Sequence, residues 1–177
     1  DDSTVIVRRQ GLSMFAPLRY HGLDNMKVAS VVAGLIAEYT PDVVFIDAGR
    51  GEGVIDRLRQ LGHRNIIEVP FGSKASYEDK YVNKRTEMWY EMSLWVRDGG
   101  CLPDDAVLRS ELAIPTYDYD TRGRIVLESK DKIKERLGKS PDAADAAALT
   151  FAFKVPQKDV SLHGGRKIMA NTNYSPF

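Results

Sequence analysis

The stretch Pro41-Asp42-Val43-Val44-Phe45-Ile46-Asp47-Ala48-Gly49-Arg50-Gly51-Glu52-Gly53-Val54-Ile55-Asp56-Arg57-Leu58 decides how the chain is read. Residues 43–46 are a continuous apolar, largely β-branched run, of the length of a strand buried on both faces. Asp47 stands at its carboxyl end. Gly49, Gly51 and Gly53 predict a glycine-rich turn, and Val54, Ile55, Leu58 and Leu61 then recur at helical spacing, predicting a helix over about 53–61 that Gly62 closes. In open α/β sheets, ligands bind outside the carboxyl ends of strands. Asp47 is therefore the first candidate for chemistry. The alternative role for an aspartate at such a junction is to cap the helix.

Outward from this unit, residues 4–8 alternate as a strand and 14–20 read as a second, with Gly11 marking the turn between them. Asn25–Tyr39 is a helix with Val28, Val31, Val32, Leu35, Ile36 and Tyr39 on one face, ended by Thr40-Pro41. Residues 65–69 form another short strand and 70–76 a loop. Residues 80–97 carry Met88, Trp89, Met92, Trp95 and Val96 on a helical stripe, which makes both tryptophans core residues. A short helix over 104–112 precedes a hairpin of 116–119 and 124–128, followed by a helix over 131–137. Ser140-Pro141 reads as an N-cap with proline at the first helical position, opening an alanine-rich helix that runs to Phe153. The order is α/β with a mixed sheet flanked by helices. Residues 1–156 read as one domain and 157–177, polar and without pattern, as a loosely attached tail.

Composition narrows the function. The chain has 177 residues, with 25 Lys plus Arg against 25 Asp plus Glu. Zero net charge argues against indiscriminate polyanion binding and leaves room for a local basic patch. One cysteine excludes an internal disulfide and a cysteine-based zinc site, and His21, His63 and His163 are too scattered to form a metal cluster by spacing. No apolar run is long enough to span a membrane. An opening that runs straight from Asp1-Asp2-Ser3 into a strand suggests a piece of a longer protein.

Asp142 and Asp145 lie three apart on the late helix and share a face in its first turns, where the helix dipole favours negative charge. The alanines around Asp145 bring it towards the sheet. A hard divalent cation takes oxygen ligands, and Mg²⁺ commonly uses one or two protein carboxylates plus water and substrate phosphate. A pair of such ions about 4 Å apart suits phosphodiester cleavage. Asp47 and Asp145, from separate elements, are the carboxylates expected to converge.

Several pieces in order carry a resemblance: residues 43–47 with the glycine-rich turn and 53–58; Val69-Pro70-Phe71-Gly72; Asn83-Lys84-Arg85 with Glu87-Met88-Trp89; and Gly138-Lys139-Ser140-Pro141-Asp142 with Asp145-Ala146. Over residues 1 to about 154 the chain resembles the C-terminal nuclease domain of the large terminase subunit of tailed bacteriophages, which has an RNase H-like fold. The resemblance implies a metal-dependent endonuclease that cuts concatemeric double-stranded DNA with two Mg²⁺ or Mn²⁺ ions. It implies metal ligation by Asp47 and by Asp145, with Asp142 as competitor, and a supporting part for Asp1 or Asp2. The family's first strand, with its own aspartate, has no counterpart here. DNA contacts are expected from Lys74, Lys84, Arg85, Lys130, Lys132 and Lys139. By the same resemblance the partners are the portal protein, the small terminase subunit and an ATPase domain in the full-length chain, in the host cell cytoplasm.

Two other readings compete. Residues 47–53 also resemble the nucleotide-binding motif of S-adenosylmethionine methyltransferases, with Glu68 placed to hold a ribose. The third is a non-catalytic module that docks DNA and portal.

Overall fold

Alternation along two strands builds the layers of the molecule. The computed structural model describes residues 3–155, and of Arg50 only the backbone. Asp1, Asp2 and the expected tail at 157–177 lie outside the described residues. Strand β1 (Ser3–Ile6) pairs antiparallel with β4 (Leu18–His21), and β5 (Val44–Asp47) pairs parallel with β6 (Ile66–Val69), Asp47 opposite Val69. Ile6, Val44, Ile46 and Ile66 face a cluster made by Val28, Ala29 and Val32 of α1 (Asn25–Tyr39) and Val54, Ile55 and Leu58 of α2 (Ala48–Gln60). Val5, Phe45 and Val69 face the other cluster. That one holds Met88, Trp89 and Met92 of α3 (Lys84–Arg97), Leu108 of α4 (Ala106–Ala113), and Ala143, Ala144, Ala147 and Ala148 of α6 (Asp142–Leu149). Successive strand residues point to opposite faces. The strands are thus a central layer with helices on both sides, as the apolar runs require.

The sheet is mixed, but its strands bond in pairs rather than as one ladder. Among the described residues β1 bonds only to β4 and β5 only to β6. Residues 3–8 and 43–47 instead line a common cavity of about 2190 Å³, walled by α1 and α6.

Four expected boundaries move. The glycine-rich turn is helix: α2 starts at Ala48, directly after β5. Its glycines let it approach closely. A Cβ on Gly51 would stand 2.5 Å from Ile46 Cγ2, and one on Gly53 2.5 Å from Asn25 Nδ2. Glycine costs about 1 kcal/mol in a helix, and the close packing against β5 and α1 offsets it. Second, residues 14–20 divide. Ser13–Met14 (β3) pairs with Arg9–Gln10 (β2), and Pro17, which has no N–H, precedes β4. Third, α3 begins at Lys84, capped by Asn83 Oδ1 accepting from Thr86 N at 2.9 Å, because residues 80–82 bond to Ile125 instead. Ile125 belongs to β8 (Ile125–Leu127), which forms the expected hairpin with β7 (Tyr117–Tyr119). Fourth, α6 stops at Leu149. Thr150 turns its hydroxyl onto Ala147 O at 2.8 Å, and Arg9 Nη2 donates to Thr150 O at 2.8 Å. Helix α5 (Lys130–Leu137) lies where expected, capped by Ser129 and ended by Gly138 at φ 76°.

Gly51→Val is expected to lower the free energy of unfolding by about 2 kcal/mol, since the added methyls meet Ile46. Urea denaturation checks it, and a variant as stable as the parent would show that α2 can move off β5.

Arg19 donates from both terminal nitrogens to Asp105, at 2.8 Å each, while Asp105 Oδ1 also caps α4 at Leu108 N. Arg19 is the main cause that holds this carboxyl below its ordinary range, with the Leu108 amide next. A depressed folded-state pKa stabilises above the unfolded value of about 3.9, and the contribution is lost as pH falls through the folded value. Asp105→Asn should therefore flatten the loss of stability below about pH 4. Unfolding measured from pH 6 downwards checks this.

Candidate active site

Strand β5 packs against α6 on one side of the strand layer, through Phe45. Asp47 is two residues beyond Phe45, so it points to the face that α3, α4 and α6 cover. It also caps α2, with Oδ1 accepting from Gly49 N at 3.1 Å. Asp47, Asp142 and Asp145 line the cavity between β1 and β5. Asp142 is partly exposed, and burial pushes its carboxyl up, with Lys130 working against the shift.

Asp145 is 5% exposed. Its Oδ1 accepts from Trp89 Nε1 at 2.9 Å and from Arg85 Nε at 3.4 Å. Lys130 Nζ lies 2.9 Å from Oδ2 as an ion pair, off the line of a hydrogen bond. Asp145 Oδ2 and Arg85 Nη2 are the two buried side-chain atoms without a hydrogen bond among the described residues. Asp145 Oδ2 therefore has an ammonium at ion-pair distance but no hydrogen bond. Carboxylates on two elements that line one cavity are the kind of oxygen donor that suits a hard cation, which completes its shell with water and substrate oxygen. Among the described residues no three His, Cys, Asp or Glu side chains group as a metal cluster. Asp47, Asp142 and Asp145 line the cavity together with Asp42, Glu87, Glu91 and Glu111.

Helix α6 owes its place to a residue the sequence did not point to. Ser140 is not its cap. Pro141 occupies that position and offers no side-chain hydrogen bond. Glu111 of α4, 2% exposed, does the work from outside: its Oε2 accepts from Ala143 N at 2.8 Å and Ala144 N at 3.0 Å. Lys139 Nζ balances Glu111 Oε1 at 3.1 Å. The missed signal is the lack of a capping side chain before Asp142. It says that a partner is needed, not which one.

The basic residues separate. Lys84, expected on DNA, is 1% exposed, with Nζ donating to Ser76 Oγ at 2.8 Å and Glu87 Oε2 at 2.9 Å and resting 4.0 Å from the Phe153 ring centroid. A buried ammonium held by a carboxylate has nothing to offer a phosphate, so that expectation is corrected. Arg85 is largely buried and belongs to the site, donating to Glu128 O at 3.0 Å as well as to Asp145. The Lys74 side chain is 84% exposed, beside Glu78. Lys130 and Lys139 are half-exposed at the rim, and Lys132 is exposed on α5.

The methyltransferase reading loses its structural basis. Gly49, Gly51 and Gly53 are inside α2 and form no cradle, and Glu68 sits within β6 opposite Ile46, not at the strand end.

No family model matches the sequence, and no curated protein matches it. Solved structures do. A point mutant of the nuclease domain of the large terminase subunit gp2 of bacterial virus Sf6, with manganese and β-thujaplicinol, superposes with a TM-score of 0.68 at 18% identity, covering 89% of this chain and 84% of that one. The large terminase nuclease of thermophilic phage G20c gives 0.60 at 18% identity, over 85% of this chain and 75% of its own. Its form with bound magnesium gives 0.55 at 14% identity, over 85% and 80%. The chain has the fold of a phage terminase nuclease domain. At these identities the likeness establishes the α/β, RNase H-like architecture, and residue roles rest on the site itself. In this terminase-nuclease fold, as described, no helix is long and apolar enough to cross a membrane.

Glu111→Ala should cost about 2–3 kcal/mol by leaving two buried amides at the start of α6 without an acceptor. Glu111→Gln, which keeps one, should cost less. Denaturant unfolding of the pair checks the order.

Proposed function

We propose that the chain is the metal-dependent endonuclease domain of a viral DNA-packaging terminase, hydrolysing phosphodiester bonds of concatemeric double-stranded DNA. The observation that carries this reading is buried Asp145, with Lys130 Nζ 2.9 Å from its Oδ2, in a cavity that Asp47 also lines, within a terminase-nuclease fold. The Sf6 and G20c nucleases were solved with manganese and magnesium, which supports the same class of ion here. Asp47 and Asp145 would hold the Mg²⁺ or Mn²⁺, with Asp142 as alternate and Asp2 in support. Bound there, such ions supply Lewis-acid activation of water and of the leaving oxygen. Lys74, Lys130, Lys132 and Lys139 position the duplex through its phosphates without reading sequence, and Arg85 acts from within the site.

Strands β1 and β5 both line this cavity and do not bond to each other among the described residues. A further strand bonded to both edges would join the two pairs into one sheet, and by the resemblance such a strand carries another carboxylate. The resemblance also supports an ATPase domain in the same full-length chain, contacts with the portal protein and small terminase subunit, and action in the host cell cytoplasm.

A non-catalytic docking module is the second reading. It is favoured by the two cations that already balance Asp145 and by the absence of a three-carboxylate group among the described residues. Plasmid nicking with Mn²⁺, by this chain and by one extended through a preceding strand, separates the two. Asp47→Asn and Asp145→Asn should each lower cleavage at least about 100-fold, as expected when a group stabilising the transition state is lost, while the circular dichroism stays that of the parent. Undiminished cutting by either variant removes that residue from the site, and no cutting by any form favours docking.

A further inference from the structure

Resting on the nuclease reading, we propose that the β7–β8 hairpin carries a stacking site for unpaired nucleobases beside the Asp145 site, formed by Tyr117 and Tyr119. The two residues are 56% and 59% exposed, on a strand that pairs on one side only among the described residues. Alternation puts both rings on one face of the hairpin and turns Asp118 to the other. They end a row of rings that starts in the interior. Tyr81 is buried, its hydroxyl donating to Glu91 Oε1 at 2.7 Å. Centroid to centroid, Tyr90 stands 5.7 Å from Tyr81, Tyr117 5.8 Å from Tyr90 and Tyr119 6.1 Å from Tyr117, the last two pairs edge to face. The inner rings hold the outer ones in place, so little ordering is left to be done when a base arrives.

Burial does not explain the outer pair. A ring kept to cover Ile125, the buried residue opposite Tyr119, would itself be hidden in doing so. The surrounding charge suits a nucleic acid. Lys80 Nζ lies 4.8 Å from the Tyr81 ring centroid and 5.3 Å from that of Tyr90, and Arg122 is exposed at the hairpin tip, so cations flank the row. The position suits it too. Tyr117 is opposite Leu127, and the carbonyl of the next residue, Glu128, accepts from Arg85 Nη1 at 3.0 Å, the arginine that also reaches Asp145. Every base has a π-face, but in a duplex the neighbouring pairs cover it. Stacking on tyrosine is therefore open to unpaired bases, such as those that fray at a cut end, and it tolerates any sequence.

The test is binding of a labelled oligothymidine to the full chain in EDTA, read by fluorescence anisotropy. Tyr117→Ala and Tyr119→Ala should each weaken it roughly tenfold. Tyr117→Phe, which keeps the ring, should bind as the parent does, and binding of a blunt duplex should be alike in the parent and the alanine variants. Tyr117→Trp places an indole in the row, and its emission should be quenched saturably as the anisotropy rises. This arm decides the matter if the alanine variants do not fold. Unchanged affinity in folded alanine variants overturns the proposal. So does an equal loss in Tyr117→Phe, an equal loss of duplex binding, or an unquenched Tyr117→Trp while the anisotropy rises. Absence of binding by the parent overturns it as well and leaves the exposed rings to a protein partner. No cleavage runs in EDTA, so each of these failures leaves untouched the nicking result on which the nuclease reading depends.

Discussion

Two amide hydrogens at the start of α6 end on one buried carboxylate, that of Glu111. Everything at the site depends on this contact. Helix α6 has eight residues and no capping side chain of its own, and the first amides of any helix need an acceptor. Glu111 supplies it and in doing so fixes where the helix begins and how deep it lies. Four alanines then let the backbone settle against α3 and the strand layer, and Asp145, placed between them, goes in with them. A larger side chain at Ala144 or Ala147 would hold the helix off and draw Asp145 outwards.

Burying Asp145 creates an electrostatic problem that the surroundings solve in part. Arg85 and Lys130 supply positive charge, and Trp89 supplies a neutral hydrogen bond. Lys139 is engaged with Glu111, so it does not add to the charge around Asp145. Asp142, three residues earlier, has its carboxyl pushed up by burial, with Lys130 working against the shift. The two aspartates of α6 therefore sit in different surroundings. The difference comes from α3, not from α6.

Periodicity made the framework legible. The run at 43–46, the amphipathic stripe of α1 and the hairpin at 117–127 all stand close to where the sequence puts them, because each is set by residues near in sequence. The placement of Asp47 and Asp145 in one cavity also follows from a strand end and a small-faced helix. What could not be read depends on distant neighbours. Gly49, Gly51 and Gly53 look like a turn until Ile46 and Asn25 are seen pressing on α2. Lys84 looks like a surface cation until Ser76, Glu87 and Phe153 close over it. Glu111 looks like any helix glutamate, and Trp89 like any core ring, until α6 arrives.

The stitching of β2 to the end of α6, where Arg9 reaches Thr150 across 141 residues, governs the order of assembly. The β5–α2–β6 unit and the β1–β4 pair close short loops and can form early. Docking α6 closes a loop nearly as long as the described chain, and contacts so remote in sequence form slowly. During synthesis, then, the pocket around Asp145 has no counterpart in a nascent polypeptide until α6 has emerged.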